Sequence, residues 1–508
     1  MTHLKSILSR FAYVVAILSL LGGGNLSTLK ATGLRRPKYQ PLRFSGNDRF
    51  PSPENELIRL RDGQRVAAMR AHAWRIFAGL THAEGPHARR PPIWDSWYTE
   101  CEVQLTTCLQ PSDNPSNTER LLRGFSIPAQ NLQSLKLDTF HSKSALTQQE
   151  LTLVQDEIKD ALTKDPQLAS VLYNESAKKH ILDNHLNLEN TLDTILRARI
   201  DSHSPEDERK IPPFPADSVV LKTGWELIYP GRQPNLRTLY IWNPEKEKND
   251  TTLLTEGYVS SGAKQWGKTV TVDVTKQKEC SDGDYSGDAV IPLGCFYFIQ
   301  LSPKLSQYWR DFANSVNKDS PKTDEDPYAV LMAVHVTTKE IGDWVWATFW
   351  WYNKATYPRY GCDSDCRSIL KGNKWRHFLM DTAFSGSTPL ESDYGHKICF
   401  NRYLEEKMPY GIVSNCIQCH RRAVYKAGGK EECAYTLGRL PRCTDTEGGS
   451  LKKCVDVVPS ECSQSDKDYY VHALQTDLLW TIADVNDPAK QKIQAAFVQL
   501  LETLPGKR

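Results

Sequence analysis

The five residues Cys416-Ile417-Gln418-Cys419-His420 constrain this chain more than any other stretch, because they spell C-x-x-C-H. Two thiols at that spacing add across the two vinyl groups of one haem, and the adjacent imidazole is then held under the iron as its proximal ligand. A C-x-x-C pair also serves structural zinc and thiol–disulfide sites. A structural zinc takes four protein ligands, commonly from two such pairs, and the other short pair, Cys362 and Cys366, has three residues between its thiols. A thioredoxin-like site sits in a compact βαβ unit, and no such pattern precedes Cys416. The expectation is one covalent haem c, linked through Cys416 and Cys419, with His420 on the iron.

Attachment of this kind takes place on the outer side of a membrane, which makes the N-terminus informative. Lys5 and Arg10 precede an uncharged apolar run from Phe11 to Leu21, followed by Gly22-Gly23-Gly24 and then by more polar sequence. That is the layout of a secretory signal, with a basic start, a short apolar centre and small residues near the exit. The run is too short for a comfortable membrane span. Residues 1–33 are accordingly read as a signal peptide, and the mature chain as a periplasmic or otherwise exported bacterial protein with no stable membrane span.

The cysteines agree with export. Of 13 in the chain, eleven lie outside the proposed haem pair, several of them in local pairs separated by turn-rich sequence. Such pairs suit disulfide-closed loops in an oxidising compartment. The expected bridges are Cys101 with Cys108, Cys280 with Cys295, and Cys362 with Cys366; pairings among Cys433, Cys443, Cys454 and Cys462 are open. Eleven is odd, so one thiol is left over, and Cys399 is the candidate. The formal charge of +2 and the absence of a basic stripe provide no case for nucleic-acid binding. A haem carrier needs a domain of only about 100 residues, so 508 residues leave a large body to dock a redox partner protein or to house a substrate site.

Periodicity places that body in the α+β class, with an N-terminal helical region, a central antiparallel sheet or sandwich, and a loop-rich C-terminal haem-attachment region. Residues 34–212 read as mainly helical. Leu57, Leu60, Val66, Met69, Ala73 and Phe77 recur at helical intervals with a break near Gly63. A capping box at Thr147-Gln148-Gln149-Glu150 opens a second helix, and helical spacing resumes from Leu168 to Leu192 beyond Pro166. Trp94 and Trp97 read as core anchors. Residues 213–355 carry β-branched and aromatic runs bounded by turn residues, at 218–228, 237–242, 269–274, 295–300, 329–338 and 344–351. The last two form a hairpin around residues 339–343. Residues 356–508 form the cysteine-rich haem-binding region. A short helix is expected to continue past His420 to Lys426, and a terminal helix to span Tyr470 to Leu501.

No methionine follows Met408, so the small cytochrome domain that takes a downstream methionine as sixth iron ligand is a poor match. The candidates for the other face of the iron are His335, His472, His396, His377, Met380 and Met408. His335 leads them because it alternates along its strand with Leu331, Ala333 and Thr337 and so points to one defined face. An open sixth position is the competing arrangement.

The blocks Asn415-Cys416-Ile417-Gln418-Cys419-His420-Arg421-Arg422-Ala423, His335-Val336-Thr337-Thr338-Lys339-Glu340 and Trp344-Val345-Trp346-Ala347-Thr348-Phe349 carry a family likeness. With Phe214 to Lys222 they span residues 213–425, and the chain resembles large, largely uncharacterised bacterial exported proteins classed as c-type cytochromes. The resemblance implies haem binding by Cys416, Cys419 and His420. The expected function is an exported single-haem c-type cytochrome in electron transfer. The rival readings are a haem enzyme acting on a small molecule at an open sixth iron position, and a non-redox binding protein stapled by disulfides.

Overall fold

The computed structural model describes residues 39–44, 49–81, 91–104, 169–204, 208–228, 235–242, 267–281, 283–287, 289–300, 328–357, 360–370, 372–385, 399, 401–405, 416–420, 423–426, 442–443, 454–455 and 473–483. The fold is α+β and is organised by one seven-stranded antiparallel sheet. Its strands are β1 (Tyr98–Thr99), β2 (Ala169–Tyr173), β3 (Val219–Ile228), β7 (Phe298–Gln300), β8 (Tyr328–Thr338), β9 (Val345–Trp351) and β10 (Phe378–Ala383). They lie in the order β1-β2-β3-β8-β9-β10, with β7 paired to the first half of β8. A smaller sheet holds β4 (Leu236–Trp242), β5 (Gly267–Asp273) and β6 (Val290–Pro292), and its β5–β6 pair is parallel. Two short ribbons, β11 (Val424–Lys426) with β14 (Ala473–Gln475) and β12 (Arg442–Cys443) with β13 (Cys454–Val455), complete the strands among the described residues.

The β-branched and aromatic runs of the sequence form these strands because both faces of the large sheet are covered. All seven residues of β9 are buried, as expected of a strand packed on both sides. On one face lie α1 (Glu54–Asp62) and α2 (Val66–Thr81), separated by the break expected at Gly63. Phe77 of α2 stacks on Phe349 of β9 with ring centroids 4.2 Å apart. Trp94 and Trp97 are fully buried in the same core. On the other face lie α3 (Glu175–Asp183), α4 (Glu189–Asp201) and a C-terminal layer, whose buried residues include Tyr173, Val220, Trp344, Trp346, Cys416, Tyr425 and Leu474.

The sheet ignores the compositional boundaries. It takes β1 and β2 from residues 34–212 and β10 from residues 356–508, so the steps at 212/213 and 355/356 fall inside one sheet. Three local expectations change as well. Ala169–Tyr173 is a strand, not helix, because it pairs with β3 from Ala169↔Gly224 to Tyr173↔Val220; Asn174 then caps α3 by accepting the Ala177 N–H. Val424–Lys426 and Ala473–Gln475 pair with each other as strands, where helix was expected on both sides. In all three places the register of a neighbouring strand outweighs local helical spacing. The Thr147 capping box and residues 484–508 of the terminal helix lie outside the described residues.

The expected disulfides Cys280–Cys295 and Cys362–Cys366 are present. The third, Cys101 with Cys108, lies outside the described side chains. Cys443 and Cys454 stand opposite each other in the β12–β13 register. Among the described residues, no helix is long and apolar enough to cross a membrane.

Gly79 of α2 marks a close approach. A Cβ there would lie 2.5 Å from the Arg43 carbonyl oxygen and 2.7 Å from Leu42 Cδ1. Alanine improves helix propensity by up to about 1 kcal/mol, but here it pushes backbone against backbone. Gly79→Ala is expected to cost about 1–3 kcal/mol net, read as a lower urea midpoint at unchanged slope.

Candidate haem-attachment site

The register of the large sheet builds a polar row on the face that carries the C-terminal layer. Lys222 of β3 stands opposite His335 of β8, His335 opposite Thr348 of β9, and Thr348 opposite Asp381 of β10. Directly opposed residues share a face. The next row on that face, two residues along each strand, is Val220, Thr337, Trp346 and Ala383. Both rows are covered by two short helices, α5 (Arg402–Glu405) and α6 (Cys416–His420).

The start of α5 is pinned to the polar row. Asn401 donates from Nδ2 to Thr348 Oγ1 at 2.7 Å and to the Phe349 carbonyl at 3.0 Å, and its own N–H donates to the Glu405 carboxyl. Glu405 Oε2 lies 3.9 Å from His335 Nε2. This is not an ion pair at neutral pH. Burial drives the Glu405 carboxyl up to about 8, outweighing the Asn401 N–H and Lys222, which lower it. Burial also holds His335 well below its ordinary value, with Lys222 and the neighbouring His420 acting the same way. A neutral carboxylic acid therefore faces a neutral imidazole. His335 Nε2 and Thr337 Oγ1 are buried with no hydrogen-bond partner among the described residues. Buried polar atoms are normally satisfied, so two orphans on one strand, two residues apart, mark a place where polar chemistry is incomplete.

Helix α6 is a single turn. It puts Cys416 and His420 four residues apart, on one helical face, with the backbone of Cys419 in the same turn. The His420 ring lies over Trp346, centroids 4.2 Å apart and tilted by 44°. His420 Nδ1 is 2.8 Å from the Leu478 carbonyl oxygen. A carbonyl only accepts, so Nδ1 carries the proton. Burial lowers the ring's pKa to about 4, with Lys222 contributing and the Leu478 carbonyl opposing. The imidazole is neutral, and Nε2 is left with a free lone pair. A carbonyl that accepts from the far ring nitrogen fixes the tautomer and aim of a metal-binding histidine.

The Leu478 carbonyl is held there by strained backbone. Asp477 and Leu478 have φ of 50° and 68°, in the left-handed region that non-glycine residues enter at a cost of about 1–3 kcal/mol each. Lys339 Nζ lies 2.6 Å from Asp477 Oδ1, and the Phe214 N–H donates to Asp477 Oδ2 at 3.2 Å. Thr476 donates its N–H and its hydroxyl to the Ala423 carbonyl, just after α6. Strain at one point is thus fastened on three sides. Asp477→Ala removes two of these fastenings and is expected to cost about 1.5–3 kcal/mol, measured by urea unfolding. The Nδ1 proton of His420, followed by NMR, should lose its hydrogen-bonded shift.

Cys416, His420 and His335 come together at one site. The Cys419 side chain, His396, His472 and Met408 lie outside the described residues. His377 is elsewhere, bonded to the Ser281 carbonyl and packed on Trp351 beside the Cys280–Cys295 bridge. Met380 is buried in the core under α2, its backbone bonded to Tyr360 and Arg70. Cys399, the expected leftover thiol, is buried without a disulfide, and its Sγ is 3.4 Å from Cys416 Sγ. Sequence reasoning passed over Lys222, Glu405 and Leu478. Lys222 stands with Glu226 as a charge inside a largely apolar strand; Leu478 falls in the stretch expected as terminal helix, where the role of a backbone carbonyl leaves no mark, and Glu405 sits in a short segment without periodicity. No family model, no curated protein and no solved structure matches the chain.

Proposed function

We propose that this chain is an exported, periplasmic single-haem c-type cytochrome that transfers electrons to or from a redox partner protein. The observation that carries the reading is His420: a neutral imidazole whose Nδ1 is tied to the Leu478 carbonyl at 2.8 Å, one helical turn from the Cys416 thiol. The donor set fits haem c. Cys416 and Cys419 would hold the two vinyl positions, and His420 Nε2 would hold the iron. When bound, haem c supplies a one-electron ferric–ferrous couple.

The surrounding residues do the rest. Trp346 packs on the imidazole and covers part of it, and such burial, with axial ligation, sets a haem potential. His335 is the distal candidate, because its Nε2 is an orphan on the same sheet face. One observation favours the second reading, a haem enzyme acting on a small molecule at an open sixth position. Glu405, still protonated at neutral pH, lies beside His335 and could deliver a proton there.

Visible spectra of the purified protein, oxidised and reduced, separate the readings. Electron transfer predicts six-coordinate low-spin iron in both states. His335→Ala should then convert it to a high-spin, ligand-accessible form. High-spin iron in the unaltered protein favours the enzyme, and exported protein without acid–acetone-resistant haem overturns both.

A further inference from the structure

We propose that Cys416 has two mutually exclusive covalent partners: the haem vinyl group, or the thiol of Cys399, which closes a disulfide on it in the haem-free chain. The haem side of this choice rests on the function proposed above; the Cys399 side stands on its own geometry. The two sulfurs are 3.4 Å apart and both residues are buried. A disulfide bond is about 2.0 Å long, so a small side-chain rotation closes the gap. Neither cysteine is bonded elsewhere.

Cysteine arithmetic points the same way. Thirteen is odd, and removing Cys416 and Cys419 for haem leaves an odd eleven, so the haem-bearing chain always retains a thiol. Among the described residues Cys399 is that thiol by position, because Cys280–Cys295 and Cys362–Cys366 are already joined and the sulfur recorded against Cys399 is that of Cys416. Contact with Cys416, then burial, raises the Cys399 thiol well above its ordinary pKa. Once the haem holds Cys416, that sulfur is no longer available to Cys399, which keeps its own thiol.

The chemistry balances in both directions. Closing the bond takes two electrons and two protons from the Cys399 and Cys416 thiols, and they pass to a disulfide oxidant of the exporting compartment, which becomes two thiols. A dithiol reductant reverses the exchange and is itself oxidised to a disulfide. Thioether formation needs no oxidant: the Cys416 sulfur bonds to a vinyl carbon, and its proton ends on the other vinyl carbon. A disulfide-bonded Cys416 has no thiol to add. Reduction of this bond is therefore a required step before attachment in any chain that folds ahead of its haem.

Non-reducing tryptic mapping of the full exported chain, prepared with and without haem supply, tests the proposal. Cleavage after Lys397, Arg402, Lys407 and Arg421 isolates peptide 398–402, with Cys399, from peptide 408–421, with Cys416 and Cys419. The haem-free protein is expected to yield these two peptides joined, with fragment ions placing the bond on Cys416. The haem-bearing protein should yield Cys399 alkylated. Reduced haem added to the haem-free protein should attach only with a dithiol present, and in Cys399→Ser without one. Cys399 recovered alkylated from the oxidised haem-free chain, or a bond confined to Cys416 and Cys419, overturns the proposal and leaves the haem reading intact. A chain that shows the Cys399 bond yet never acquires haem overturns the exclusion and the proposed function together.

Discussion

Exported protein carrying Cys416→Ala and Cys419→Ala should contain no haem that survives acid–acetone extraction, while the unaltered chain should keep its haem through the same treatment. This is the largest effect expected of any substitution here, since both links to the macrocycle are lost at once. Each single variant should retain one thioether and a pyridine haemochrome band to the red of the unaltered chain's, intermediate between two saturated vinyl positions and none. His420→Ala should behave differently. It leaves both thiols, so covalent haem should persist, while the iron would lose its proximal nitrogen and the low-spin bands should disappear. Leu478 offers a finer control: its carbonyl fixes His420 only while Asp477 holds the strained turn, so Asp477→Ala should broaden the reduced bands without releasing haem. If haem survives extraction in the double variant, the attachment assignment is wrong.

The second large effect lies away from the site. His72 of α2 and Glu340 of the β8–β9 turn form a fully buried pair, Nε2 to Oε2 at 2.9 Å. Glu340 also accepts the Ser52 N–H and the Thr338 hydroxyl, each at 2.7 Å. One carboxylate therefore ties the lead-in, the first helical layer and the central hairpin together. Removing one partner of a buried pair costs about 3–5 kcal/mol, because the other is left uncompensated. His72→Ala and Glu340→Ala should each lower the urea midpoint by that amount divided by the unfolding slope. Their double variant should cost less than the sum of the two.

The same pair predicts a pH dependence. Burial raises the Glu340 carboxyl, but the His72 hydrogen bond and charge, the Ser52 N–H and the Thr338 hydroxyl outweigh it, so its folded pKa lies below the ordinary carboxylate value. A depressed pKa contributes stability that is present in full above the unfolded pKa and is lost as pH falls through the folded one. The contribution is thus complete at neutral pH and fades only under acid. Urea midpoints compared at about pH 7 and about pH 3 should fall more steeply for the unaltered chain than for Glu340→Gln. Equal slopes would mean that Glu340 does not set acid stability.

Much of the molecule was legible before folding. The six runs expected as strands between residues 218 and 351 correspond to β3, β4, β5, β7, β8 and β9, because alternation and turn residues are local properties. The helix break at Gly63 was equally local. Ala169–Tyr173 and Ala473–Gln475 are strands for the complementary reason: each contains spacing compatible with a helix, and only an available partner strand makes it β.

The site divides along the same line. By itself the sequence determined the helical turn with two thiols and an imidazole, the surplus of one cysteine, and His335 as a residue aimed at a single sheet face. These follow from spacing, counting and a period of two. Tertiary structure alone decided that Lys222, His335, Thr348 and Asp381 form one row, that Glu405 and Cys399 close over it, and that Leu478, 58 residues beyond His420, fixes which ring nitrogen is free. Register and long-range closure depend on the summed burial of whole strands and layers, so no local stretch of residues encodes them.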